Sequence, residues 1–131
     1  MKSNISTIDF FIYLLVFYQV KHFLADFVFQ NVWMLQKSRP GWDFVPPLSI
    51  HCGIHAGATL VAALYLDPSL WWLGVLDFVI HFVMDRIKAG PRYLGRFQDI
   101  RGKAFWVTFG FDQMVHHLTH IYICIMLLPP G

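Results

Sequence analysis

Four long apolar stretches, each interrupted by aspartate or histidine at helical spacing, constrain this chain more than any other feature. They run from about Asp9 to Val32, Leu48 to Leu66, Leu70 to Lys88 and Ala104 to Leu128. A helix of this length crosses a hydrocarbon core of about 30 Å. Between them lie helix-breaking or polar connections: "MLQKSRPGWDFVPP", with Pro40, Gly41, Pro46 and Pro47; the tight turn "DPS" at 67–69; and the basic loop 89–103. The first stretch is too long for the core of a signal peptide and has no small-residue cleavage site. The expected fold class is all-α: a single membrane domain, 1–131, built as an integral bundle of four antiparallel transmembrane helices.

Composition agrees with lipid as the main solvent. Hydrophobic residues make up 56% of the chain and charged residues 14%, against about 25% charged in soluble domains. All eight acidic residues are Asp. A chain without Glu has little water-facing helix surface, so its carboxylates read as placed for function. A net charge of +2 without a basic run argues against nucleic acid as a partner. Cys52 and Cys124 lie inside apolar stretches without metal-type spacing and read as small buried hydrophobes.

Basic residues set the orientation. Lys37 and Arg39 follow the first stretch. Arg86, Lys88, Arg92, Arg96, Arg101 and Lys103 lie at the end of the third and in the loop after it. The opposite side has only Lys2. The positive-inside rule puts both long connections in the cytoplasm and both termini outside it. Trp33, Trp42, Trp71, Trp72, Tyr93 and Trp106 fit interfacial belts.

The ionisable residues fall four apart and so share a helix face: His22, Asp26 and Gln30; His51 and His55; Asp77, His81 and Asp85; Asp112, His116 and His120. If the helices end level, Asp26, His55, His81 and Asp112 lie about 10 Å from the cytoplasmic end. His22 and His116 then sit about one turn deeper, and His51 and Asp85 about one turn shallower. Scattered polar residues would not fall in one layer.

Isolated charges in hydrocarbon cost several kcal/mol each, which pairing or a bound cation offsets. A mixed imidazole–carboxylate set suits a divalent metal, with zinc preferred and manganese or iron as alternatives; the thiolates that select copper(I) are missing. The candidate metal ligands are His22, Asp26, His51, His55, His81, Asp85, Asp112 and His116, with Asp26, Asp85 and Asp112 also candidate catalytic carboxylates. Eight candidates exceed one tetrahedral site, so two metals, or one metal with an outer ring of hydrogen-bond partners, both fit. Gln30 reads as such an outer partner. Buried His–Asp pairs also serve as plain interhelical hydrogen bonds. Asp77 reads as an outer partner or a helix–helix contact, His117 and His120 as peripheral, and Lys21, Arg86 and Lys88 as snorkelling or topology-setting residues.

Four motifs in order, "HFLADFVFQ", "HCGIH", "HFVMDRIK" and "FDQMVHH", resemble those of a family of small bacterial and phage membrane proteins, the domain-of-unknown-function family 3307. The resemblance covers about residues 15–125 and falls on His22, Asp26 and Gln30; His51 and His55; His81, Asp85 and Lys88; and Asp112, Gln113 and His116. It implies a multi-pass protein of the bacterial inner membrane with a polar intramembrane site, with Lys88 and Gln113 joining Gln30 around the ligands. His117 and His120 fall outside the pattern.

The resemblance brings no reaction, so function rests on the chemistry. The first expectation is a metal-dependent hydrolase acting on a membrane lipid or lipid-linked substrate, the metal activating water and polarising a carbonyl or phosphoryl oxygen. The second is a proton or metal-ion transporter using the same groups, alone or as a homo-oligomer. The apolar outer halves of the first three stretches argue against a through-path. The third is a haem-binding electron carrier, for which the carboxylates have no evident use.

Overall fold

The computed structural model describes residues 5–130, so Lys2, the single basic residue of the opposite side, lies outside the described residues. It is all-helical, with four long helices and no strand among those residues: α1 (Thr7–Phe23), α2 (Val45–Leu66), α3 (Trp72–Ala89) and α4 (Lys103–Met126). Two of them, α1 with its continuation to Val28 and α2, are long and apolar enough to cross a membrane. α3 adds Asp77, Asp85, Arg86 and Lys88 to the same kind of apolar background.

The helix boundaries differ from the sequence reading at three informative places. The first stretch was expected to stay helical to Val32, but α1 widens into a π turn over Leu24–Val28 and stops there. The Phe29 N–H reaches back five residues to the Leu24 carbonyl at 2.8 Å. Such a turn re-aims one side chain relative to a regular helix, and the residue inside it is Asp26. The second stretch was expected to begin at Leu48 with Pro47 suited to its first turn; α2 begins earlier, at Val45, and carries Pro46 as well as Pro47 in that turn, where a missing N–H costs nothing. Finally, the connection after α1 is not irregular. Asn31 Oδ1 accepts from Met34 N at 3.0 Å and starts a short 3₁₀ turn over Met34–Ser38, packed through the buried Met34.

The helices run alternately up and down, α1 and α2 joined by this folded connection, α2 and α3 by a tight turn, and α3 and α4 by a loop with its own 3₁₀ turn at Leu94–Arg96. In the tight turn Asp67 Oδ1 accepts from both the Oγ (2.7 Å) and the N–H (3.0 Å) of Ser69. α2 and α3 pack closest, since a Cβ at Gly74 would stand 3.0 Å from Leu60 Cβ. The two basic connections meet at one end of the bundle. There Arg86 Nη1 donates to the carbonyls of Lys37 (3.2 Å) and Arg39 (3.0 Å), and its guanidinium covers the Phe44 ring at 3.6 Å. Arg86 thus ties α3 to the first connection rather than snorkelling.

The opposite end is closed by an apolar cluster of Leu14, Tyr18, Ala63, Leu73, Ile123, Cys124 and Leu127. Both cysteines are buried and free. Between the cluster and the basic end the interior changes character. Among the described residues, twelve buried side chains are polar or charged against fourteen apolar ones, while Val16, Val61, Val75, Val79, Val107, Leu118 and Ile125 are exposed. The bundle is polar inside and apolar outside.

Gly95 seats the second connection against the end of α3: a Cβ there would lie 2.4 Å from the Ala89 carbonyl oxygen and 2.7 Å from that of Gly90. Gly95→Ala is expected to destabilise the protein by about 1–3 kcal/mol, seen as a lowered thermal midpoint. Gly53→Ala meets no atom within 4 Å and should leave that midpoint unchanged or raised.

Candidate metal centre

The polar interior is one continuous layer of imidazole and carboxylate groups, to which each helix contributes. Three groups within it bring ligand atoms close enough to share an ion, all atoms of a group lying within 4.8 Å of one another. The first is His22, His55, His81 and His120, one histidine from each helix. The second is Asp26, His51 and His55 on α1 and α2. The third is Asp85, Asp112 and His116 on α3 and α4.

Within the second group the Asp26 carboxylate faces α2. Its Oδ1 lies 2.9 Å from His55 Nε2 and 3.2 Å from His51 Nε2, and its Oδ2 lies 3.2 Å from His22 Nε2. The third group is held the same way. His116 Nε2 lies 3.1 Å from both Asp85 Oδ1 and Asp112 Oδ1. His51 joins the halves, its Nε2 being 3.1 Å from Asp85 Oδ2. The rings stack as well: His81 sits between His55 and His116, with centroids 4.2 Å away on either side. Donor atoms of a tetrahedral zinc site stand roughly 3.3 Å apart, given metal bonds of about 2.0–2.1 Å. The nitrogen–oxygen spacings here approach that edge length.

Charged residues around the layer balance it. Lys88 Nζ donates to Asp112 Oδ2 at 2.8 Å, and Lys37 Nζ stands 3.5 Å from Asp85 Oδ2. Gln113 bridges α4 to α1, its Nε2 donating to Asp112 Oδ2 (3.0 Å) while its Oε1 lies 3.1 Å from His22 Nε2. Gln30 makes no hydrogen bond to a candidate ligand among the described residues. Its Oε1 accepts from Lys37 Nζ at 3.1 Å, so it steers the lysine beside Asp85.

Asp77 anchors a separate network. His81 Nδ1 lies 2.7 Å from Asp77 Oδ1 and 3.1 Å from the Asp77 carbonyl oxygen. Both contacts fix the proton on Nδ1 and leave Nε2 as the free lone pair, the arrangement that orients metal-bound histidines. Asp77 Oδ2 accepts from the Lys21 ammonium at 2.9 Å and from the Thr59 hydroxyl, which in turn accepts from Tyr18 OH at 3.0 Å. Lys21 is therefore buried and paired, not snorkelling.

All eight ligands expected from the sequence come together in this layer. His120, read there as peripheral, belongs to it: it is fully buried, and neither ring nitrogen has a hydrogen-bond partner among the described residues. His81 Nε2 and the Nδ1 atoms of His22, His51, His55 and His116 are also without partners. His117 remains outside, half-buried, with Nδ1 3.4 Å from Gln19 Nε2. The depth estimate assumed level helix ends, and that assumption fails. His120 lies about 25 Å along α4 from Lys103, whereas His22 lies about 9 Å from the end of the α1 π turn. The early stop at Val28 and the far start of α4 bring the two side by side. Lys37, Tyr18 and Thr59 carried no sequence signal, since a lone loop lysine and single hydroxyls acquire meaning only through tertiary contact.

The Lys21–Asp77 pair gives a stability test. Asp77→Leu leaves a buried, unpaired ammonium and should cost about 3–5 kcal/mol, most of which the double change Lys21→Met with Asp77→Leu restores. Chemical denaturation of the two variants measures the difference.

No curated protein and no solved structure matches the chain. The family sequence profile described as protein of unknown function (DUF3307) matches residues 10–129. The chain belongs to that family.

Proposed function

We propose that this protein spans the bacterial inner membrane four times, with both termini outside the cytoplasm, and holds divalent metal in its polar layer as a membrane-embedded hydrolase. What supports the membrane reading is the inverted distribution of side chains. Two helices are apolar and long enough to cross unaided. The charges of α3 and α4 that lower their apolarity point inward: Asp77, Asp85 and Asp112 are buried, while Val75, Val79, Val83, Val107 and Leu118 face out. A bundle in water would have no reason to hide twelve polar side chains and show its valines.

The observation that carries the metal reading is His120. A fully buried imidazole with no partner on either nitrogen costs about 1–3 kcal/mol per unmet group. It stands with three other histidines, each offering a ring nitrogen within 4.8 Å of the others and each keeping one ring nitrogen without a hydrogen bond among the described residues. Four neutral imidazoles suit zinc, and the neighbouring carboxylates of Asp26, Asp85 and Asp112 suit zinc, manganese or iron.

When bound, such an ion lowers the pKa of a coordinated water and polarises a substrate oxygen. The protein residues do the rest. Asp77 sets the His81 tautomer, Gln113 and Lys88 hold Asp112 in place, and Asp26, half-buried at the edge of the layer, is placed to take a proton from water. The basic connections beside the layer favour an anionic lipid or lipid-linked substrate. The apolar plug at the other end opposes a continuous ion path, which favours the enzyme over a transporter.

Protein purified in detergent without chelator is expected to retain one or two divalent ions per chain by elemental analysis. Asp112→Ala and His120→Ala should lower that content, and His117→Ala should not. A metal-free wild type would contradict the reading. Metal flux into liposomes without turnover of any lipid ester or phosphate would assign the site to transport, and a Soret band would assign it to haem.

A further inference from the structure

On the basic side of the layer, the ends of α3 and α4 and the two 3₁₀ turns enclose a cavity of about 180 Å³. Asp85 forms part of its wall, so whatever enters lies beside the one member of the Asp85, Asp112 and His116 group that lines it. Lys37 and Lys88 also line it, each only partly covered. The remaining polar groups there are engaged with the backbone. Ser38 Oγ donates to the Leu35 carbonyl, Gln98 Nε2 to Gly95 and Thr108 Oγ1 to Phe105. The two ammonium groups, Lys37 held by Gln30 beside Asp85 and Lys88 held by Asp112, are the cavity's charged donors.

The charges of the layer do not balance once metal is present. With neutral imidazoles, Asp26, Asp85 and Asp112 contribute three negative charges and Lys37 and Lys88 two positive ones. Asp77 and Lys21 neutralise each other. One divalent ion leaves an excess of one positive charge, and two leave an excess of three. An interior of low dielectric does not tolerate that excess without a counter-anion. The chain has no Glu, and its other aspartates, Asp9, Asp43, Asp67 and Asp99, lie outside the layer. A deprotonated water or an anion entering from outside the protein offsets that excess. Metal at Asp85 and Asp112 would compete with Lys37 and Lys88 for those carboxylates, while Lys37 Nζ keeps Gln30 Oε1 at 3.1 Å.

We infer that this cavity receives the phosphate group of a phosphate ester, held between Lys37 and Lys88 and set against the metal-bearing Asp85, Asp112 and His116 group. The inference rests on the metal reading and names its substrate class. A phosphate monoester carries close to two negative charges on three oxygens, which matches the excess left by two ions better than a carboxylate does. The volume fits a head group, being below the roughly 300–1,000 Å³ that encloses a whole drug-sized ligand. The phosphate belongs either to a lipid head group or to a soluble ester.

The test uses full-length protein in nanodiscs of uncharged lipid, loaded with Mn²⁺, and follows inorganic phosphate by the ³¹P relaxation that a nearby Mn²⁺ causes. Wild type is expected to bind phosphate close to the metal. Lys37→Gln with Lys88→Gln should weaken that binding about tenfold or more per bound metal ion, with the metal content of each variant measured alongside because Lys88 also holds Asp112. The corresponding Lys→Arg pair should restore much of the binding, and Arg101→Gln, outside the cavity, should leave it unchanged. Phosphate binding that is absent or indifferent to both lysines, in a protein that holds its metal, overturns this inference alone. Failure to take up metal overturns it together with the metal reading. Competition by phosphatidic acid in the disc but not by glycerol phosphate assigns the site to a lipid head group. Equal competition by both assigns it to phosphate esters generally.

Discussion

Three carboxylates and six buried imidazoles share the centre of a four-helix bundle, and the rest of the structure follows from keeping them there. Each carboxylate taken out of water costs several kcal/mol unless it is matched, and here every one is matched by side chains from another helix. Asp26 on α1 is met by histidines of α2, Asp85 on α3 by His51 of α2 and His116 of α4, and Asp112 on α4 by Lys88 of α3. The polar layer therefore supplies the specificity of helix pairing that a uniformly apolar interface lacks. Surfaces turned away from it are free to be apolar, and they are.

The layer has two parts that differ chemically. Around Asp77 the charges are closed on themselves: Lys21 and Thr59 donate to Oδ2, Tyr18 donates to Thr59, and His81 Nδ1 lies 2.7 Å from Oδ1, deep in the bundle and beside the apolar plug. Around Asp26, Asp85 and Asp112 the arrangement is open. The carboxylates face histidines and lysines of neighbouring segments, and the cavity beyond reaches Asp85 from the basic end. On α3 the structural carboxylate Asp77 and the candidate ligand Asp85 are thus about two helical turns apart, with His81 midway between them.

Much of this was legible in the chain. Spacing of four residues placed His22 with Asp26, His51 with His55, His81 with Asp85 and Asp112 with His116, because a helix face is a local property. His120 shows where that reasoning stops. It lies on the same face as His116, but whether a helix face reaches the layer depends on where its neighbours end. The π turn that stops α1 at Val28 has no distinct mark in "LADFV". Lys21 looked like a boundary residue because lysine beside apolar sequence usually snorkels; only the position of Asp77 on another helix makes it a buried pair. Lys37 was invisible for a related reason, since its role depends on a connection that folds back over the bundle end.

The central claim is that histidine and aspartate side chains from all four helices bind metal, and do not merely hydrogen-bond to one another. X-ray absorption at the zinc edge of the zinc-loaded protein tests it most directly. The account predicts a first shell of imidazole nitrogen and carboxylate oxygen at about 2.0–2.2 Å, with the multiple-scattering signature of several histidines. A shell containing sulfur at about 2.3 Å would move the metal to Cys52 or Cys124. A spectrum without imidazole scattering would leave the buried layer as a hydrogen-bonded core and contradict the account.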